Sequence, residues 1–209
     1  MLQLHYAPNT ISIVVAIALN EGGVHYQPIR VDFASAEQTK PAYRAINPKA
    51  RVPALATPGG ILTETGAIIE YILRVHGDGK FIPEMGTKAF RDYQHFIHFA
   101  EGSAMLPLLL ALYNSFLGEA GAPLHPVIMT ELKGILDYCE YHLTRNENFA
   151  GEDISGADFM MIFPLEAANA RGRLKGYEAC QDWLTKMHAR PAYLRALERG
   201  GEYAYGPKS

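Results

Sequence analysis

Three short stretches hold the side chains whose types and spacing suit chemistry, and each borders a regular element. The first is Tyr6-Ala7-Pro8-Asn9-Thr10-Ile11-Ser12, which sets a phenol, an amide and two hydroxyls just ahead of an apolar helical run. A helix start leaves backbone N–H groups unpaired and carries a partial positive charge, so donors gathered there suit an anion. Asn9, Thr10 and Ser12 are equally suited to capping the helix with no ligand at all. The second stretch is Arg51-Val52-Pro53. A Pro in a strand removes a ladder donor, and a cis bond there would turn the N–H and C=O of Val52 outward, free for an extended ligand. An ordinary trans Pro at a strand start is the alternative. The third is Glu64-Thr65, just before a helix with Ile68, Tyr71, Ile72 and Val75 at i, i+3, i+4 and i+7. Thr65 can offer its hydroxyl and N–H to a carboxylate while Glu64 takes an ammonium, or Thr65 can simply cap.

Two further groups carry less. His95, His98 and Glu101 fall at i, i+3 and i+6 on one helix. Without a fourth ligand this is no metal site; it is a solvated face or, for His95 and Glu101, the lining of a cleft. Ser155-x-x-Asp158 ahead of an apolar run has the form of a capping box and is assigned to structure, outside any site.

The elements that must position these residues change character along the chain. Met1–Tyr6 alternates as a strand does, Ile11–Leu19 reads as a buried helix closed by Gly22-Gly23, and 24–31 reads as an edge strand interrupted by Pro28. A short helix over 37–46 follows, then a hairpin of 52–56 and 61–63 around Pro58-Gly59-Gly60, then the helix after Thr65. The order is β-α-β-α-β-β-α. Past Lys80 the strand signal is lost: 90–117 reads as one long helix or two joined at Pro107, with helices over 131–143, 157–170, 177–189 and 191–199. The expected organisation is an α/β domain over 1–79 and an all-helical domain over 86–209, with the boundary in the aperiodic 81–86.

At 209 residues, 48% apolar and 20% charged, the chain is globular in composition. Nineteen basic against 22 acidic residues give a net charge of −3, which builds no field for nucleic acid. Cys139 and Cys180 form no C-x-x-C pair and fit a reducing compartment. The N-terminus shows no signal-peptide pattern, and the most apolar run, 104–112, falls short of the ~20 residues of a bilayer span. A cytoplasmic protein without membrane attachment is the expectation.

In order and spacing, the motifs Asn47-Pro48-Lys49-Ala50-Arg51-Val52-Pro53-Ala54-Leu55, Leu62-Thr63-Glu64-Thr65-Gly66-Ala67-Ile68-Ile69-Glu70-Tyr71-Ile72 and Ile154-Ser155-Gly156-Ala157-Asp158-Phe159, with Arg190-Pro191-Ala192-Tyr193, give a chain that resembles the glutathione S-transferase superfamily along essentially its whole length. The resemblance implies an N-terminal thioredoxin-like βαβαββα domain followed by a C-terminal helical bundle. It implies glutathione as cosubstrate, no metal, a hydrophobic electrophile as second substrate and a homodimer. Arg51, Val52 and a cis Pro53 would hold the cysteinyl part, Glu64 and Thr65 the γ-glutamyl end, and His95 and Glu101 would line the cleft. Spacing near the N-terminus resembles the beta and zeta classes. The beta-class cysteine falls on Ile11, so mixed-disulfide chemistry is not expected there, and the zeta-class serine falls on Asn9. The residues expected to activate the thiol are, in order, Thr10, Asn9, Ser12 and Tyr6. Tyr113 and Phe116 are candidates for the electrophile pocket. The alternatives are a glutathione-binding carrier or regulatory protein with little catalysis, or a glutathione-dependent peroxidase.

Overall fold

The computed structural model describes residues 1–207. The first elements are β1 (Leu2–Tyr6), α1 (Ser12–Glu21), β2 (Tyr26–Arg30), α2 (Pro41–Arg44, after a 3-10 turn at Glu37–Thr39), β3 (Ala54–Thr57), β4 (Gly60–Thr63) and α3 (Thr65–Tyr71, continued by a π turn at Ile72–His76). The four strands form one sheet in the order β2-β1-β3-β4, with β1 parallel to β2 and antiparallel to β3. This is the thioredoxin-like arrangement expected from the sequence. β2 is an edge strand, which is how it tolerates Pro28. Every residue from Ser12 to Leu19 is buried. An evenly apolar helix of this kind must be covered on all sides.

The helices that follow are α4 (Lys88–Phe99), α5 (Met105–Ser115), α6 (His125–Leu143), α7 (Gly156–Asn169), α8 (Glu178–His188) and α9 (Pro191–Gly200). They fill out the expected helical part, with one isolated bridge, Asn148 to Gly151, as the β pairing outside the sheet among the described residues. The break between α4 and α5 is a π turn at Ala100–Ala104, and Pro107 lies inside α5 rather than at a joint. Pro107 has no N–H for the carbonyl four residues earlier, and the wider turn just before it takes up that mismatch. The helical run from Lys88 to Ser115 is 28 residues, much longer than the apolar stretch 104–112. By length and apolar content it would reach across a bilayer, a property shared by core helices of water-soluble proteins.

The chain divides into two compact units: Met1–Ile82 together with residues from His188 onward, and Pro83–Met187. The sequence reading gave the last helix to the helical domain. In the structure α9 packs on α1. Asn20 donates to the Ala192 carbonyl at 3.1 Å, Arg190 forms a fork on Glu21 at 2.5 and 3.1 Å, and Ala192, Tyr193 and Ala196 are buried. Helical periodicity tells that a face is covered but not by what; the small residues of α9 allow it close to α1.

In the second unit the core is aromatic. Phe149 lies 4.7 Å from Phe96 and 4.9 Å from Trp183 between ring centroids. Ser155 and Asp158 form the expected capping box at the start of α7. Cys139 and Cys180 are buried and free. Burial pushes the Cys139 thiol up to about 12 and the Cys180 thiol up as well, so neither serves as a nucleophile.

Candidate functional site

The β3–β4 hairpin brings two of the three sequence stretches together. Ala54 pairs with Thr63 across it. The residues just before Ala54, Val52-Pro53, and those just after Thr63, Glu64-Thr65, therefore leave the hairpin side by side. The Val52–Pro53 bond is cis, as the resemblance implied. The Val52 N–H and C=O have no hydrogen-bond partner among the described residues. This is an open backbone edge beside the start of α3.

The loop ahead of it is pinned from within. The Arg51 carbonyl accepts from the Tyr43 hydroxyl and from the Asn47 side-chain amide, both at 2.8 Å, and Asn47 Oδ1 accepts from the Lys49 N–H at 3.1 Å. Tyr43 and Asn47 are buried, and burial pushes the Tyr43 phenol up to about 12, so it stays a donor. Arg51 itself is exposed.

Glu64 has φ 71° and ψ 119°. A non-glycine residue at positive φ costs of order 1–3 kcal/mol and marks a constrained position. The Glu64 carboxylate is exposed and paired with Lys49. Thr65 is buried as the first residue of α3. Lys49 was part of the quoted motif, but nothing in its sequence position signalled that it would meet Glu64 fifteen residues on.

The N-terminal stretch sorts its four candidates clearly. Thr10 Oγ1 donates to the Ala7 carbonyl at 2.7 Å, lies 2.9 Å from Ser12 Oγ and accepts from the Ser12 N–H at 3.3 Å. A hydroxyl has one proton, and a carbonyl can only accept, so the Thr10 proton is committed to Ala7. Ile11 already has helical dihedrals, which makes Thr10 the side chain that closes the start of α1. Ser12 is buried. The Tyr6 hydroxyl donates to the Arg199 carbonyl at 3.4 Å. Asn9 differs from all three. It is exposed, has φ 59°, and its Oδ1 accepts from the Ala204 N–H at 2.6 Å. Its Nδ2 group has no partner among the described residues, nor do the N–H groups of Thr10 and Ile11. Unspent donors at the mouth of α1 therefore come from Asn9 and from the backbone.

Behind this loop lies a narrow, almost wholly apolar cavity of ≈ 20 Å³, lined by Tyr6, Pro8, Thr10, Ile13, Arg199 and Tyr203 among others. That is room for about one water. Sequence reading did not bring residues 199–205 to this place, since 195 positions separate Asn9 from Ala204.

His95 and Glu101 belong to the second unit. His95 Nε2 lies 3.1 Å from the Tyr138 hydroxyl, and its ring stacks on Phe99 at 5.5 Å. It is thus one member of an aromatic cluster on α4 and α6. Glu101 is exposed within the π turn. Tyr113 and Phe116 are exposed on α5 and at its end.

Comparison with known proteins identifies the family of this fold. Residues 2–74 match the family model "Glutathione S-transferase, N-terminal domain". Glutathione S-transferase 3 of Schizosaccharomyces pombe is 30% identical over 95% of this chain and 88% of its own length. Glutathione S-transferase 3 of Zea mays is 28% identical over 94% and 93%. Among solved structures, a glutathione transferase homologue from Sulfitobacter with bound glutathione superposes with a TM-score of 0.85 at 31% identity, over 96% of this chain and 98% of that one. A glutathione transferase family member from Pseudomonas fluorescens, with two glutathione molecules bound, gives 0.82 at 27%, over 94% and 92%. With a shared fold, a matched N-terminal domain and relatives aligned nearly end to end, this chain belongs to the glutathione S-transferase family.

Proposed function

We propose that the chain is a glutathione transferase that joins the glutathione thiolate to small hydrophobic electrophiles. The observation that carries this reading is the open Val52 backbone edge set beside Glu64 and Thr65 on one hairpin. An extended tripeptide pairs its cysteinyl N–H and C=O with Val52. Its γ-glutamyl carboxylate sits at the start of α3, where Thr65 and the helix dipole favour an anion. Its ammonium meets Glu64, and Arg51 and Lys49 supply positive charge for its remaining carboxylate.

The cysteinyl thiol then needs help at the mouth of α1. A free thiol ionises near 8.5. The Asn9 Nδ2 hydrogens, the N–H groups of Thr10 and Ile11 and the dipole of α1 stabilise the thiolate over the thiol. The thiol proton passes to solvent. The sulfur attacks an electrophilic carbon, a C–S bond forms, and the bond to the leaving group breaks with its electron pair. Tyr113 and Phe116 are the side chains assigned to the electrophile, and a homodimer in the cytoplasm is the proposed working form.

Retention on immobilised glutathione together with conjugation of an aryl halide, followed by halide release, tests the reading. Retention without turnover at any pH from 6 to 9 favours a carrier. No retention removes the assignment.

A further inference from the structure

The chain does not stop where α9 ends; it turns back over the N-terminal loop. Gly201 makes that turn with φ 81° and ψ −160°. Essentially only glycine occupies this backbone region. The turn carries residues 202–206 across the mouth of α1, where Tyr203 lines the cavity behind Pro8 and Thr10 and the Ala204 N–H reaches Asn9 Oδ1 at 2.6 Å. The base of the crossing is tied down as well. Tyr6 donates to the Arg199 carbonyl, and the Arg199 guanidinium lies 4.3 Å over the Tyr26 ring and donates to the Tyr26 carbonyl at 2.9 Å.

An amide side chain has an accepting end and a donating end. A backbone N–H can only face the accepting end. Its bond to Oδ1 therefore fixes which way the Asn9 amide lies and leaves the NH2 group as the donor. Without that bond the amide could turn over and offer an oxygen where a donor is needed.

Resting on the reading of Asn9 as a thiolate donor, we propose that the segment Gly201–Gly206 is a positioning element of the thiol site, acting through the Ala204 N–H on the Asn9 side chain. Ala204 touches no reacting atom. It selects the amide orientation that favours the thiolate and disfavours the reverse.

The test removes the N–H and keeps the chain: Ala204→Pro, against Ala204→Ser, which retains it. Conjugation kcat/KM is followed from pH 6 to 9, the thiolate of bound glutathione by its ultraviolet absorbance, and glutathione Kd by calorimetry. Ala204→Pro is expected to move the midpoint of the pH–rate curve up by about one pH unit. That means about tenfold lower kcat/KM near neutrality, with Kd within about twofold and Ala204→Ser like the parent. Proline can dislodge the whole segment, so Gly201→Val provides a second route, because its backbone cannot hold the reversal. It should give the same upward shift.

In an Asn9→Ala background neither change should add a further shift. An unmoved pH curve in both variants overturns the proposal while leaving the glutathione site intact. So does a shift that persists undiminished in Asn9→Ala. Loss of glutathione binding by the parent protein instead overturns the function proposed above.

Discussion

Two helix starts in this molecule face the same electrostatic problem and solve it in opposite ways. At the start of α7 the cap is built from the chain's own side chains. Asp158 accepts from the Ser155 N–H and the Phe149 N–H, both at 2.8 Å, and from the Ser155 hydroxyl at 2.9 Å, while Ser155 Oγ accepts from the Ala157 N–H. Asp158 is fully buried. The start of α8 is closed in a similar way, with the Glu140 carboxylate accepting from the N–H groups of Ala179 and Cys180. At the start of α1, Thr10 closes one donor only. The Asn9 amide hydrogens and the N–H groups of Thr10 and Ile11 stay open, with no carboxylate bonded to them among the described residues. A helix start whose donors are met by the chain's own side chains stabilises the fold; one that leaves donors open can take an anion from a ligand.

The sharpest way to break this contrast is to empty the closed start. Asp158→Ala leaves three donors buried without a partner. At about 1–3 kcal/mol each, the loss is of order 3 kcal/mol or more, read as a fall in Tm. Glutathione affinity of the molecules that remain folded should not change. The same carboxyl sets a pH dependence. Burial raises it from 3.8 to about 6. Between those values the folded state binds more protons than the unfolded chain, so the added stability that comes from protonating this group is full below pH 3.8 and is lost as pH rises through about 6, while the cap's hydrogen bonds remain. Thermal melts across that window should show the slope in the parent and lose it in Asp158→Asn. An unchanged slope would assign it to other groups.

The open start should behave in reverse. Asn9→Asp keeps the positive-φ conformation, which Asp tolerates, and keeps an acceptor for the Ala204 N–H. It replaces the NH2 donors by negative charge beside the proposed position of the thiolate. Conjugation at pH 7 should fall about a hundredfold, in the range seen for loss of one oxyanion donor, with recovery toward pH 9 and Tm nearly unchanged. A large loss of Tm with normal turnover would make Asn9 a structural residue like Asp158. Glu64→Ala ranks next. It removes the proposed partner of the γ-glutamyl ammonium, and glutathione Kd should weaken about tenfold, some 1.4 kcal/mol. Affinity left untouched would mean that the Lys49–Glu64 pair is only a surface ion pair, and exposed pairs are worth little.

Much of this was legible in the sequence because it depends on neighbours. The Pro58-Gly59-Gly60 turn fixes the β3–β4 register, and the register sets Val52-Pro53 beside Glu64-Thr65. Ser155 and Asp158 are three residues apart and declare their cap. What could not be read depends on distant parts of the chain meeting. Nothing near Pro191 says that α9 covers α1. Nothing near Asn9 says that residue 204 returns to hold it. Asn9 is proposed ahead of Thr10 for the same reason: the Thr10 hydroxyl donates to the Ala7 carbonyl, whose position local spacing does not reveal. Nothing near Lys49 says that the hairpin brings Glu64 to it.

Thr10 therefore gives the smallest expected effect and the finest test of the contrast. Thr10→Val keeps the shape and removes both the bond to Ala7 and the acceptor for the Ser12 N–H. As a cap it should cost about 1 kcal/mol of stability. Turnover at saturating glutathione should stay within about threefold, because the hydroxyl proton was never available to the sulfur. Thr10→Ser, which keeps the hydroxyl, should restore most of the stability. If Thr10→Val instead lost turnover a hundredfold at constant Tm, the hydroxyl would have to leave Ala7 for the thiolate when glutathione binds. The open start of α1 would then be one that rearranges around its ligand rather than one that waits for it.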